Sequence, residues 1–338
     1  MDAIDIHAHY VSPALIDEAR RAGEDYGVEV LSEPEGDVLV FRHNGVRIRP
    51  IFSELRDLPA RRRYMSDRGV AMQVVSTWTD IVGDDLPLHQ SVRWVRLQNE
   101  TLVSDVREAG EGFSPMGALP MQDADAAIAE LRHLVDTLGV RAVEIVTSVN
   151  GRDLDRPEYR PLWQELESLE VFVLLHPPLC PVGQERSDDF FLNNLVFFPA
   201  DTTVAAAKLI FSGVMDDHPG LHVCLAHGGG FLPYQVGRLD KGFQVHPACQ
   251  RVLTELPSQY LDRFYYDTLT HDDAALSYLV SRVGAERIMF GSDYPFEMTD
   301  DFGASRVLNL PGISTEQAEA ILSGNALPVF DPPVRAGS

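Results

Sequence analysis

The sequence predicts a parallel α/β fold closed as a (β/α)8 TIM barrel, on three observations. Eight short apolar or β-branched runs recur along the 338 residues, and eight is the number of strands that closes such a barrel. Helical periodicity fills most of the gaps between them. The first run ends in histidines, not in the Gly-x-Gly-x-x-Gly turn that marks the rival, doubly wound open sheet.

The runs are Ile4–His7, Met72–Ser76, Ser114–Leu119, Ala142–Thr147, Val171–Leu175, His222–Ala226, Phe264–Asp267 and Arg287–Phe290. Each is brief and rich in Val, Ile or Leu, as strands covered on both faces should be. Helices are predicted at Ser91–Glu108, Ala124–Leu138, Pro157–Leu169, Thr202–Met215 and Asp273–Val283, with Gly139 stopping the second and Asp272-Asp273 starting the fifth. A last short helix, Thr315–Leu322, has a capping box in Ser314 and Gln317.

One stretch breaks the repeat. About sixty residues separate the first two strands. Within them Asp37–Ile51 alternates around His43-Asn44-Gly45, and Asn-Gly between alternating runs signals a β-hairpin. The expectation is one barrel domain over 1–338, with an insertion at 11–60 that holds the hairpin after strand 1, on the side where barrel active sites lie.

Charge and composition exclude some functions. Twenty-eight basic against 51 acidic residues give a net charge of −23, which repels phosphate backbones and anionic lipid. No nucleic-acid or membrane partner is expected, and an anionic substrate would need specific arginines to capture it. No apolar run approaches the roughly 18 residues of a membrane helix. Met1-Asp2-Ala3-Ile4-Asp5 lacks the basic and apolar regions of a signal peptide. Cys180, Cys224 and Cys249 are odd in number and far apart, so neither a disulfide framework nor a Cys-x-x-Cys zinc site fits them. A reducing cytoplasm is the expected setting.

The chemistry gathers at strand ends. His7 and His9 end the first run two residues apart, so a regular strand points both to one side. His176 follows Val171–Leu175, His227 follows Val223–Ala226, and Asp293 follows Ile288–Ser292. In a barrel all five lie on the catalytic face. Nitrogen and oxygen donors without thiolate suit one Zn²⁺, and less exclusively Mn²⁺, Fe²⁺ or Co²⁺. His7, His9, His176 and Asp293 are assigned as ligands, and His227 as the base that takes a proton from water on the metal. No lysine stands in Val143–Thr147 to be carbamylated and bridge two ions, so one ion is expected. Trp78 ends the second strand, where it either walls the pocket or packs in the core.

The text Ile4-Asp5-Ile6-His7-Ala8-His9, with His176-Pro177, Ala226-His227-Gly228-Gly229-Gly230, Gly291-Ser292-Asp293-Tyr294-Pro295-Phe296 and Gly324-Asn325-Ala326, resembles the metal-dependent decarboxylase branch of the amidohydrolase superfamily. The resemblance spans nearly the whole chain. It implies a zinc-bearing barrel that decarboxylates a carboxylated aromatic or muconate-semialdehyde-type acid. It implies the same metal ligands, with catalytic roles for His227 and Asp293. It further implies that Arg49 grips a substrate carboxylate, that Phe296 packs on the substrate, and that Arg238 reaches into a neighbouring subunit's site within a homodimer. The chain departs from the pattern at His246, where a second arginine is usual, and at Pro177-Pro178, where a tryptophan follows the histidine. The residues around the metal would equally serve a hydrolase acting on an amide, lactone or C–C bond, or a hydratase.

Overall fold

The structure, a computed structural model, describes residues 2–187 and 189–330. The stretch 331–338 of the expected domain lies outside the described residues. Eight parallel strands form one sheet in chain order: β1 (Ala3–Tyr10), β2 (Val70–Thr77), β3 (Phe113–Ala118), β4 (Ala142–Val146), β5 (Phe172–His176), β6 (His222–Leu225), β7 (Tyr265–Asp267) and β8 (Ile288–Met289). All eight predicted runs are these strands. The chain beyond β8 pairs with β1: Ile6 N donates to Phe290 O at 2.9 Å, Asp293 N to His7 O at 2.8 Å and His9 N to Tyr294 O at 2.8 Å. These bonds bring the two edges of the sheet together and leave few unpaired backbone groups there.

Side chains alternate as a barrel requires. Ile4, Ile6, Val74, Met116, Ala142, Phe172, Leu174, Cys224 and Met289 form one buried cluster inside. Val75, Val143, Ile145, Val173, Leu175, Val223 and Leu225 face the helices in another. Strand β1 changes parity. Its pairing with β2 shifts register between Asp5 and Ala8, where Asp5 opposes Gln73 and Ala8 opposes Val75. Three residues therefore advance against two, a β-bulge. Before it the even residues Ile4 and Ile6 belong to the inner cluster. After it Ala8 and Tyr10 belong to the outer one, and the odd residues His7 and His9 turn inward.

The insertion after β1 differs from expectation. The regular hairpin pairs Val28–Glu33 with Gly36–Phe41, ahead of the Asn-Gly position. The chain does reverse at His43-Asn44-Gly45, where Gly45 N donates to Phe41 O at 2.8 Å and Asn44 Oδ1 accepts from Val46 N at 2.9 Å. The returning leg pairs only through the isolated bridges Val40–Arg47 and Asp37–Ile51. Pro50, lacking an N–H, stands beside the second of these. Ile48, Ile51, Leu39 and Phe41 pack with Trp78 and Trp94 in a core of their own. That core fixes the segment carrying Arg49 beside Trp78 and Phe296.

A second difference concerns length and hydropathy. The helical stretch Asn193–Phe211 has 19 residues and a mean hydropathy of 1.2, enough by length and composition alone to cross a membrane. Polar residues interrupt it, which is why no continuous apolar run stands out in the sequence. Asp201 accepts from Thr147 Oγ1 and, at 2.9 Å, from Val182 N. Lys208 pairs with Asp153. Its Ala205, Ala206, Leu209 and Ile210 are buried in the barrel's outer core. All three cysteines are free.

The turn after β6 depends on glycine. Gly228, Gly229 and Gly230 all have positive φ. A Cβ on Gly230 would stand 2.1 Å from Pro199 O, at φ +60°. Gly230→Ala should cost about 1–3 kcal/mol of stability through overpacking and strain, read as a lower urea midpoint at unchanged slope.

Candidate metal centre

His7, His9, His176 and Asp293 meet at the C-terminal mouth of the barrel. One donor atom from each lies within 4.8 Å of the others, and all four residues are buried. His9 Nε2 is 3.2 Å and His7 Nε2 3.7 Å from Asp293 Oδ1. The Nε2 atoms of His7 and His9 are buried without a hydrogen-bond partner. Such orphaned donors and acceptors are costly unless something else occupies the space between them.

The opposite ring nitrogens are engaged. His7 Nδ1 is 2.8 Å from Asp267 Oδ2, and His176 Nδ1 is 2.9 Å from Pro177 O. His9 Nδ1 has Ser76 Oγ at 3.4 Å and Glu144 Oε2 at 3.8 Å. The acceptors at Nδ1 of His7 and His176 place the proton there and leave the Nε2 lone pair free, the arrangement seen behind metal-ligating imidazoles. Three nitrogens and one carboxylate oxygen fit a single divalent ion with an open position.

The electrostatics ask for a cation. Burial opposes charge on His7, but the bond to Asp267 and the nearby Asp293 outweigh it and push the imidazole up to about 9. Asp293 is held well below the usual carboxylate range: burial opposes this, but His9 and His7 prevail. Both Glu144 oxygens are buried without a hydrogen-bond partner, and burial raises that carboxyl. Burial, then neighbouring His7, lowers His176 well below its ordinary value, which keeps a lone pair for a metal.

His227 completes the group. Its ring lies 5.4 Å from that of His7 and 5.1 Å from that of His176. Its Nε2 is 3.9 Å from Asp293 Oδ2. Burial lowers it to about 4, with Asp293 acting the other way, so the ring is neutral near pH 7 and able to accept a proton. His227 and Asp293 both hold left-handed backbone, at φ 57° and 58°. For a non-glycine residue this costs free energy and is tolerated where surrounding bonds enforce it. For His227 they do: its N–H and that of Gly228 donate to Asp267 at 2.9 and 2.6 Å.

A cavity of about 320 Å³ opens onto His176, His227 and Asp293 and is lined by Arg49, Trp78, Asp80 and Phe296. The Arg49 guanidinium lies 5.1 Å from the Trp78 ring centre and 4.8 Å from that of Phe296. Glu297 approaches it at 3.3 Å. Trp78 is both core and wall, being 2 % exposed while lining the cavity. Arg238 is not brought here. It is exposed on the helix Leu232–Val245 and does not line the cavity. Sequence reasoning missed Asp267, Glu144 and Asp80. Asp267 carries the same strand-end signal as the histidines, since it closes Tyr265-Tyr266-Asp267.

A family model described as Amidohydrolase matches residues 4–331. The 2-amino-3-carboxymuconate-6-semialdehyde decarboxylase of Dictyostelium discoideum is 33% identical over 285 residues, 84% of this chain and 79% of that protein. The gamma-resorcylate decarboxylase of a Rhizobium species is 30% identical over 288 residues, 80% of this chain and 86% of that one. The crystal structure of a dihydroxybenzoic acid decarboxylase from a Polaromonas species, with bound manganese and the inhibitor 2-nitroresorcinol, superposes with a TM-score of 0.78. It is 26% identical and covers 97% of this chain and 96% of its own.

Asp267→Asn removes the anion behind His7 and should weaken divalent-metal affinity by about 10–100-fold, measured by chelator competition. His7→Ala or His176→Ala should lose the metal outright in elemental analysis.

Proposed function

Because the chain belongs to the amidohydrolase family, we propose that it is a metal-dependent decarboxylase of a small carboxylated aromatic or muconate-semialdehyde-type acid. The observation that carries the proposal is the convergence of His7, His9, His176 and Asp293 on one point, in a cavity that also holds Arg49. The relatives named decarboxylases support the same reading.

Arg49 binds the substrate carboxylate through its planar fork. Trp78 and Phe296, already against the guanidinium, leave it little freedom to lose on binding and offer flat apolar surface to a ring or diene. A divalent ion held by His7, His9, His176 and Asp293 would supply Lewis acidity toward the substrate. Loss of CO₂ leaves the electron pair of the broken C–C bond on the substrate carbon, which must take up one proton. His227, neutral and facing the cavity, relays that proton through its ring nitrogens. Asp293 both helps hold the metal and faces His227 Nε2, where a proton held on the imidazole gains a counter-charge. Zinc is the ion proposed on the N₃O donor set. Manganese, bound in the Polaromonas relative, is the main competitor.

The proposal extends to a cytoplasmic homodimer in which Arg238 enters the neighbouring cavity. In support, the Arg238 side chain is exposed. Phe231, Tyr234 and Val245, at the ends of the same helix, are exposed apolar residues.

The test incubates metal-loaded enzyme with a panel of aromatic and dienoic carboxylates and follows CO₂ release. Consumption without gas, with water-derived ¹⁸O in the product, would replace decarboxylation by hydrolysis or hydration on the same site. His227→Ala should retain the metal and lose about 10²–10⁴-fold in turnover; an unchanged rate removes its role. If Arg238 is shared, mixing inactive Arg49→Ala and Arg238→Ala subunits restores activity in the heterodimer, because one of its two sites is then intact.

A further inference from the structure

Asp80 stands in the cavity wall and takes no part in the chemistry above. It lies in the short helical turn Thr79–Ile81 that follows β2. It is half-buried and lines the cavity together with Arg49 and His227. Among the described residues its carboxyl has neither a hydrogen-bond partner nor an ion pair. Arg49 feels its charge, yet the carboxylate paired with Arg49 is the exposed Glu297. Burial raises Asp80 to about 6, with Arg49 and His9 pulling it down. Its carboxyl oxygens are acceptors that no donor among the described residues engages.

Beyond Asp80 the space continues. A second cavity of about 200 Å³ shares Thr79, Asp80 and Leu179 with the first and is further lined by Asp84 and Asp85. Arg49 offers a positive fork to this space, while the charged residues that line the second chamber, Asp80, Asp84 and Asp85, are all acidic. A second carboxylate on the substrate would be repelled there. A hydroxyl or amino group would supply the donor that Asp80 lacks. Sites built to accept a substrate's O–H or N–H discriminate strongly against analogues without it, because the acceptor is then left unpaired.

We propose that Asp80 is a specificity-determining residue that accepts a hydrogen bond from a hydroxyl or amino substituent of the substrate and disfavours a carboxylate at that same position. This rests on the carboxylate-binding role given to Arg49. Calorimetry on the metal-loaded enzyme separates the two claims without relying on turnover. The probes are benzoate, its three hydroxy and three amino derivatives, and isophthalate. In the wild type at least one hydroxy- or aminobenzoate should bind about tenfold more tightly than benzoate, and isophthalate more weakly. In Asp80→Ala that preference should collapse to near parity, and in the isosteric Asp80→Asn isophthalate should gain affinity. Metal content and melting temperature establish that both variants are folded. A substituent preference that survives Asp80→Ala, or none in the wild type, overturns the proposal. Failure of the Arg49 reading looks different: Arg49→Ala would leave the affinity for benzoate itself unchanged.

Discussion

The Asp267 carboxylate accepts four hydrogen bonds inside the barrel mouth: from His7 Nδ1, from the amides of His227 and Gly228, and from the amide of Leu269. Burial alone would raise its pKa, yet the His7 bond and the nearby imidazoles lower it. The charge therefore stays on a group with no access to solvent. Charges in such places persist only when every lone pair is used. This one anion orients the ring of His7 from β1 and clamps the turn that presents His227 after β6. Two side chains of the cluster, about 220 positions apart in the chain, are thereby set against each other from a third strand.

Asp5 does comparable work one layer lower. It accepts from Ser292 N and Oγ at 2.9 and 2.6 Å, and from Gln73 Nε2 at 2.8 Å. Gln73 in turn accepts from the buried Arg61 at 3.0 Å, and Arg61 also donates to His9 O. The polar network ties β1, β2 and the segment after β8, which are the pieces whose alignment brings His7, His9 and Asp293 to one point. Arg61 Nε alone is left without a partner in this network; its remaining bonds favour one arrangement over near alternatives.

Strand number, strand positions and the five strand-end residues were legible in the sequence because each depends on local pattern: a short apolar run, then a residue able to bind metal or move a proton. The hairpin was misplaced because two turn signals compete. Glu33 pairs directly with Gly36 across Pro34-Glu35, a weaker text than Asn44-Gly45. Only packing of Leu39 and Phe41 beneath Ile48 and Ile51 decides which leg is regular. Glu144 and Asp80 were invisible for another reason. A single carboxylate in a strand or turn has no spacing to announce it, and its meaning comes from what faces it across the barrel. Asp201 and Lys208 likewise conceal how apolar the helix around them is.

The bulge in β1 has a further consequence. With Ile4 and Ile6 facing the interior, strict alternation would send His7 and His9 outward among the helices. One surplus residue between Asp5 and Ala8 reverses that. Removing a single amino acid there would leave every residue of the cluster in place while turning both imidazoles away from His176 and Asp293. The strand thus encodes the site partly in arithmetic, as a count of residues, and a comparison that scores only chemical identity would overlook a shortened chain that can no longer assemble it.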